Sequence, residues 1–209
     1  MADLTLVIGN KQFSSWSLRP WIALKQIGLP FREVLVRLRR PETKAEILNY
    51  SPSGKVPYLI DGALGIWDSL AILEYLNELK PEAELWPADR SARAVARAVS
   101  AEMHSGFAAL RQHLGMDLKR EPARGEWPSE AAADIERVQS IWAECRGRFG
   151  GHGPFLFGKF TAADAMYAPV VTRFHRYGVP LDPRLAAYRD AVLALPAMRE
   201  WTEAAQREP

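Results

Sequence analysis

The sequence predicts an α/β domain of element order βαβ-ββα followed by an all-α domain. Short β-prone runs alternate with helical patterns up to about residue 80, and strand patterns largely vanish after residue 90. Between them lies KPEAELWPADRS, a stretch rich in proline and polar residues that is typical of a linker. We therefore expect one domain at 1–80, a linker at 81–89 and a helical domain at 90–209.

The first half contains a βαβ unit and then a ββα unit. LTLVIG indicates a first strand, residues 15–26 a helix that stops at GLP, and FREVLV a second strand. After a short helix at 42–48 come the strands VPYLI and LGIW and the helix DSLAILEYLNELK. Asp61-Gly62 is a hairpin turn signal, so the last two strands are antiparallel, whereas the βαβ strands are parallel through a right-handed crossover. A small mixed sheet with helices on its faces follows.

The second half shows helical patterns alone. They cover 90–114, 129–149, 161–177, 183–195 and 196–207, and glycine- or proline-containing breaks separate them. The sequence shows no internal repeat and no low-complexity segment.

Composition limits the classes of function. The 209 residues carry 27 basic and 25 acidic side chains, a net charge of +2, which does not indicate a partner among nucleic acids or membrane surfaces. The N-terminus lacks the pattern of a secretory signal, and no window has the roughly 18 apolar residues of a membrane span, so we expect a cytoplasmic protein.

The cysteine count limits the redox chemistry. Cys145 is the only cysteine, which excludes an intrachain disulfide, a C-x-x-C redox pair and a cysteine-based zinc cluster. We interpret Cys145 as a buried small residue, and we expect no metal site. If the protein carries out thiol chemistry, the thiol is expected to arrive with a ligand.

Three serines precede the first helical pattern in SSWSLRPWIAL. Ser14, Ser15 and Ser17 are good helix caps, but hydroxyls and amides at the positive end of a helix also stabilise a thiolate. From these residues alone both interpretations stay open. Arg19 follows inside the helix, and we assign it first to a surface or structural role and only second to adding positive potential near a sulfur.

Two further stretches suit a peptide-like ligand with charged ends. In WDSLAI, Asp68 is expected to cap a helix and accept a hydrogen bond from an ammonium, while Ser69 offers its hydroxyl and amide to an anion. In SGKVPYL, Pro57 begins a strand, and Lys55 is either a solvated cation or a partner for a carboxylate.

Four segments in this order resemble the cytosolic glutathione transferases, and the resemblance covers essentially the whole chain. They are SSWSLRPWIAL, GKVPYL, DSLAILEYL and GKFTAADAMYAPVV. The first is similar to the serine motif of the zeta class and its bacterial relatives. The resemblance implies a thioredoxin-like N-terminal domain, an all-helical C-terminal domain, glutathione as cosubstrate and a homodimer.

The resemblance also assigns roles to residues. Ser14 matches the serine that donates a hydrogen bond to the glutathione thiolate, with Ser15 and Ser17 as alternatives, and Val56-Pro57 matches the family's cis-proline peptide. Trp16 occupies the position of the zeta-class cysteine, which argues against copying maleylacetoacetate isomerase activity onto this chain. The implied glutathione-binding residues are Ser14, Ser15, Trp16, Lys55, Val56, Pro57, Asp68 and Ser69.

The helical half contributes two further predictions. His104, Phe107 and Arg111 are candidates for a second-substrate pocket, although lone histidines and aromatic residues are more often structural. Thr161 and Asp164 form a capping box, to which we assign stability and not catalysis.

Together these features predict an enzyme that binds glutathione and directs its thiolate at a small hydrophobic electrophile. The alternatives are a glutathione-dependent isomerase of the maleylacetoacetate type, a glutathione peroxidase, and a noncatalytic binding protein of the same fold.

Overall fold

The computed structural model describes residues 4–209, and residues 1–3, with which the predicted first domain begins, lie outside the described part. The described strands form one mixed sheet in the order β2-β1-β3-β4. β1 pairs with β2 in parallel and with β3 antiparallel, and β3 pairs with β4 antiparallel across the turn at Asp61 and Gly62. This confirms the predicted mixed sheet. The strands are β1 (Leu4–Gly9), β2 (Phe31–Val36), β3 (Tyr58–Asp61) and β4 (Leu64–Ile66).

Three helices accompany the sheet, and they match the predicted βαβ-ββα order. They are α1 (Ser15–Ile27), α2 (Thr43–Leu48) and α3 (Ser69–Leu79). α1 ends at Gly28, whose φ of 69° is left-handed and whose amide bonds to carbonyls of the last turn, as at many helix ends. A single 3-10 turn, Pro81–Ala83, then leads into the second half.

Within the described residues, the chain from residue 90 onward folds into six helices. They are α4 (Arg90–Ser105), α5 (Ala108–His113), α6 (Ser129–Phe149), α7 (Ala162–Arg176), α8 (Pro183–Ala194) and α9 (Pro196–Arg207). The predicted class, an α/β domain followed by an all-α domain, is therefore confirmed. We retain 1–80, 81–89 and 90–209 as the proposed domain limits.

The prediction of one helix over 90–114 is wrong, because the chain breaks after Ser105. Gly106 is extended and Phe107 is left-handed, with a φ of 58°. A Cβ at Gly106 would lie 2.8 Å from the Glu102 carbonyl oxygen, so this conformation requires glycine. After the break, the Asp134 carboxylate accepts a hydrogen bond of 2.9 Å from the Leu110 amide and fixes the start of α5.

Helix α7 lies at the centre of the molecule. It packs against α1 on one side and α4 on the other, and its residues from Ala162 to Phe174 are all buried. One continuous core therefore joins the sheet half to the helical half. A smaller apolar cluster, which includes Val7 and Ile47, lies on the opposite face of the sheet.

The capping box at the start of α7 is present and fully buried. The Asp164 carboxylate accepts the Thr161 amide at 2.8 Å and the Thr161 hydroxyl at 2.9 Å. Its other oxygen accepts the Leu156 amide at 3.1 Å, so one side chain fixes both the helix start and the preceding loop. Burial nevertheless raises the pKa of Asp164 to about 6.

Candidate functional site

A cavity of about 690 Å³ lies between the sheet half and helix α4, and it collects most of the residues predicted to bind a ligand. Its position, between elements of the two halves, is common for small-molecule sites. It is lined by Trp16, Leu38, Ile47, Ser53, Gly54, Lys55, Val56, Pro57, Trp67, Asp68, Ser69 and His104.

The Val56-Pro57 peptide borders this cavity and is cis, as the family resemblance implied. Within the described residues, no hydrogen bond uses the Val56 amide or its carbonyl. Both groups therefore remain available to a peptide backbone that aligns alongside them. Lys55 next to them is exposed and forms no ion pair with any residue of 4–209, which agrees with a solvated cation.

The N-terminus of α3 forms the opposite wall. One Asp68 oxygen caps the helix, accepting from the Leu70 amide at 3.1 Å and the Ala71 amide at 3.5 Å. The other oxygen contacts Nε2 of His104. Ser69 is fully buried, and its hydroxyl has no hydrogen-bond partner within the described residues. A buried hydroxyl beside the positive end of a helix is a ready donor to an anion.

The three serines before α1 differ in what their hydroxyls do. Ser14 occupies the N-cap position but makes no capping bond, and its hydroxyl donates to the Ser17 hydroxyl at 2.7 Å. Ser17 is fully buried and also accepts from the Gly9 amide at 3.1 Å, so it joins α1 to the end of β1. Ser15 makes no hydrogen bond with its side chain within residues 4–209. Ser14 and Ser15 are buried beside the lining residue Trp16, although neither lines the cavity itself.

Arg19 lies directly behind Trp16 and is completely buried, so of the predicted surface or structural role the surface part is wrong. Its guanidinium carbon is 3.9 Å from the centre of the Trp16 ring, and Nε donates to the Met166 carbonyl at 3.1 Å. Nη1 and Nη2 have no acceptor within the described residues. Burial, and secondarily the charge of Arg173, lowers the pKa of Arg19 well below its usual range.

Two further arginines share this environment and form, with Arg19, what we call the arginine cluster. Arg173, from α7, is buried, and its Nε and Nη1 have no acceptor among the residues that the structure describes. Burial and the nearby charge of Arg111 lower its pKa to about 10. Arg111, from α5, lies 5.6 Å from the Trp16 ring centre, and burial lowers its pKa as well. The cluster thus collects three basic side chains on the helical side of Trp16.

The candidates for a second-substrate pocket divide in the structure. His104 lines the cavity and meets the Trp16 ring edge-on, with centroids 5.3 Å apart. Arg111 belongs to the arginine cluster. Phe107 is buried in the main core, and its backbone is left-handed and not helical. Five lining residues were not predicted: Leu38, Ile47, Ser53, Gly54 and Trp67. Ser53, Gly54 and Trp67 stand in segments that the sequence analysis singled out, whereas Leu38 and Ile47 carried no local signal.

Cys145 is buried in α6, and burial raises the pKa of its thiol to about 12. Such a thiol supplies almost no thiolate near neutral pH.

In the part of the chain that the structure describes, no group of three His, Cys, Asp or Glu side chains is placed to hold a metal ion. Among the same residues, none of the helices is both long and apolar enough to cross a membrane.

Comparison with known families matches both halves of the chain. Residues 13–79 match the family described as glutathione S-transferase, N-terminal domain, and residues 128–204 match glutathione S-transferase, C-terminal domain. A relative named maleylacetoacetate isomerase, from Pseudomonas aeruginosa, is 30% identical over 202 residues, with 90% of each chain covered.

Solved structures agree with this fold. A bacterial maleyl pyruvate isomerase, described as a zeta-class glutathione S-transferase, superimposes with a TM-score of 0.75 at 26% identity, covering 98% of this chain and 99% of the other. A glutathione transferase homologue from Burkholderia, solved with bound glutathione, has a TM-score of 0.74 at 23% identity and covers 99% and 100% of the two chains.

Proposed function

This chain belongs to the glutathione S-transferase family, and on that premise we propose that it binds glutathione and directs its thiolate at an electrophilic small molecule. The observation that carries the proposal is the shared cavity. One space is bordered by the cis Val56-Pro57 peptide, by the Ser69 side chain, whose buried hydroxyl has no partner among residues 4–209, and by Trp16 at the start of α1.

The γ-glutamyl end of glutathione is assigned to the start of α3. Its carboxylate accepts hydrogen bonds from the Ser69 hydroxyl and amide at the positive end of the helix. Its ammonium faces the Asp68 oxygen that contacts His104 in the free protein. A charge-assisted hydrogen bond of this kind contributes about 1.5 to 3 kcal/mol.

The cysteinyl backbone of glutathione is assigned to Val56. The amide and carbonyl of this residue hydrogen-bond the ligand as one more antiparallel strand would. Lys55 directly precedes Val56 in the sequence and lines the same cavity, so we assign its ammonium to the glycyl carboxylate. Its exposed position suits a group at the end of the ligand. With both ends held, the thiol points toward the N-terminus of α1.

Ser14 is the proposed hydrogen-bond donor to the sulfur. Serine is too weak a base to remove the thiol proton at neutral pH, so that proton leaves to solvent and the hydroxyl stabilises the anion that remains. One charge-assisted bond of about 1.5 to 3 kcal/mol lowers a thiol pKa by roughly one to two units. To reach the sulfur, the Ser14 proton turns away from the Ser17 oxygen, to which it is donated in the free protein. Ser15 is the alternative, because its hydroxyl makes no other bond within residues 4–209. Ser17 is less suited, because it is fully buried and accepts from Gly9 at the end of β1.

The reaction itself follows from positioning and electrostatics. The thiolate attacks an electrophilic carbon of the second substrate, a carbon–sulfur bond forms, and a leaving group departs or the adduct is protonated. The substrate is proposed to occupy the space beside Trp16 and His104, where aromatic surfaces favour a small apolar body.

A second candidate is a glutathione-dependent isomerase. The named relative supports it, and so does the arginine cluster, because maleylacetoacetate carries carboxylates that a positive potential attracts. Trp16 in place of the zeta-class cysteine favours the transferase. Peroxide reduction uses the same thiolate and is the third reaction to test.

Two wider expectations accompany the family. We propose that the protein is a homodimer, which size-exclusion chromatography with light scattering tests, since a monomeric mass contradicts it. We also propose a cytoplasmic location with no nucleic-acid or membrane partner.

The deciding experiment combines calorimetry with a substrate screen. Glutathione titration at millimolar concentration is expected to show one site, and the absence of binding would overturn both enzyme candidates. Initial rates with a chloronitrobenzene, a hydroperoxide and maleylacetone then separate transferase, peroxidase and isomerase. Ser14→Ala, Ser15→Ala and Ser17→Ala, compared by the pKa of the bound thiol, identify the hydroxyl. If the thiol pKa of bound glutathione is unchanged in Ser14→Ala, the donor to the sulfur is not Ser14.

A further inference from the structure

A carboxylate from the far end of the chain holds the loop that leads to Ser14. Glu208, just beyond α9, accepts the Lys11 amide with Oε1 at 2.7 Å and the Gln12 amide with Oε2 at 3.1 Å. Both oxygens of one carboxylate thus bind two consecutive amides of the β1–α1 loop. Hydrogen bonds to an ionised group are the stronger kind and have well-defined directions.

The same helix also holds the other side of this peptide. Trp201, a fully buried residue of α9, donates its indole N–H to the Lys11 carbonyl at 2.9 Å. The Lys11 ammonium lies 5.3 Å from the Trp201 ring centre and forms an ion pair with Glu33. Lys11 is therefore fixed through its amide, its carbonyl and its side chain, and each of these three groups contacts helix α9 or the residue that follows it.

A short chain of backbone hydrogen bonds connects this point to the serines. The Asn10 carbonyl, immediately before Lys11, accepts the Phe13 amide at 3.2 Å and the Ser14 amide at 2.8 Å. Residues 10–14 thus form one compact turn, in which the positions of Lys11 and Gln12 constrain the position of Ser14. The Ser14 hydroxyl, which donates to Ser17, moves with it.

We propose that Glu208 is a positioning residue for thiol activation, which fixes the turn at residues 10–14 so that the Ser14 hydroxyl meets the glutathione sulfur. The inference rests on the proposed function. It gives α9 and Glu208 a role in chemistry although neither borders the cavity. Glutathione affinity is assigned to other residues, Val56 and Ser69, so loss of the Glu208 contact affects ionisation of the thiol more than binding.

The first test compares Glu208→Ala and Glu208→Gln with the control Glu203→Gln. Glu203 lies on α9, shortly before Glu208, is exposed, and within the described part of the chain pairs only with Arg207. The thiol pKa of bound glutathione is read from thiolate absorbance. We expect Glu208→Ala to lower the thiolate population and kcat roughly 10- to 100-fold, because small displacements of a catalytic group have effects of this size. Glu208→Gln keeps one acceptor and is expected to lie between wild type and alanine, with glutathione Kd nearly unchanged throughout.

The second test needs no glutathione. Hydrogen exchange at the amides of residues 11–14 is expected to accelerate in Glu208→Ala and to stay at the wild-type rate in Glu203→Gln. Unchanged exchange overturns the inference, and so does accelerated exchange with an unchanged thiol pKa in the bound complex. A wild-type protein that does not ionise glutathione at all would instead overturn the proposed function, which separates the two failures.

Discussion

The Arg19 guanidinium lies 3.9 Å behind the centre of the Trp16 ring, and the Trp16 side chain lines the cavity. Arg19 itself is fully buried, and two of its nitrogens have no acceptor within residues 4–209. A positive charge is therefore held behind the aromatic wall, close to the N-terminus of α1. In a buried environment such a charge acts on a nearby anion far more strongly than it would in water.

Replacement of Arg19 by methionine is expected to separate stability from function. The substitution removes a buried charge and one hydrogen bond to Met166. The free energy of unfolding should therefore either increase or fall by no more than about 1 kcal/mol. The bound thiol pKa should rise, because the positive potential is lost. Urea denaturation and thiolate absorbance measure the two effects. Lys25→Met, which removes a partly exposed cation from the same helix, is the control and should leave the thiol pKa unchanged.

Ser69→Ala is expected to weaken glutathione binding by roughly 10- to 150-fold, the equivalent of one charge-assisted hydrogen bond. The free energy of unfolding should stay equal or rise slightly, because the buried hydroxyl has no partner to lose. Calorimetric titration and thermal denaturation measure these quantities. Ser100→Ala is a matched control, since its hydroxyl is also buried without a partner but does not line the cavity. Equal glutathione affinity in both variants would contradict the role assigned to Ser69.

Two substitutions of Asp68 are expected to separate helix capping from ligand binding. Asp68→Ala loses the bonds to the Leu70 and Ala71 amides and should cost about 1 kcal/mol of stability, whereas Asp68→Ser keeps a capping oxygen and should cost little. Both variants lose the carboxylate, so both should bind glutathione more weakly. Wild-type affinity in Asp68→Ser would show that the ammonium is bound elsewhere.

The pH dependence of stability should carry the signature of Asp164. Its pKa of about 6 in the folded protein exceeds the value of about 3.9 expected in the unfolded chain. Between these values the folded state binds a proton that the unfolded chain has released. The contribution of Asp164 to the free energy of unfolding is therefore greatest below about pH 4 and falls until about pH 6. The unfolding free energy of wild type minus that of Asp164→Asn, measured with urea, should therefore fall as the pH rises from about 4 to about 6. A difference that stays constant over this range contradicts the elevated pKa.

Local patterns in the sequence predicted most of the fold. The Asp61-Gly62 turn predicted the antiparallel β3–β4 pair, and periodic apolar residues predicted α3 and α6 closely. The break at Gly106 was missed, because a single glycine within a helical pattern is compatible with an uninterrupted helix. Helix α4 ends there because α5 packs against α6, and this contact is visible only in the folded protein.

The candidate site was less predictable, because its charges act across elements. The general exposure of arginine favoured a surface or structural role for Arg19, yet Arg19 is buried beside Arg173, which lies more than 150 residues away in the printed sequence. The contact of Asp68 with His104 likewise joins α3 to α4. Motif matching found the wall residues around Val56 and Ser69, whereas no local pattern indicates a cation that becomes buried only in the folded protein.

The bond between Glu208 and Lys11 spans 197 positions of the chain, and this separation affects the order of events during synthesis. Ribosomes release the N-terminal part of a chain first, so the sheet half can begin to fold while α9 is still inside the exit tunnel. A nascent chain shorter than 208 residues lacks the carboxylate that holds the serine turn. If Glu208 has the role proposed above, thiol activation is acquired late, after translation has passed this residue, and a chain that ends directly before Glu208 is expected to bind glutathione without efficiently ionising it.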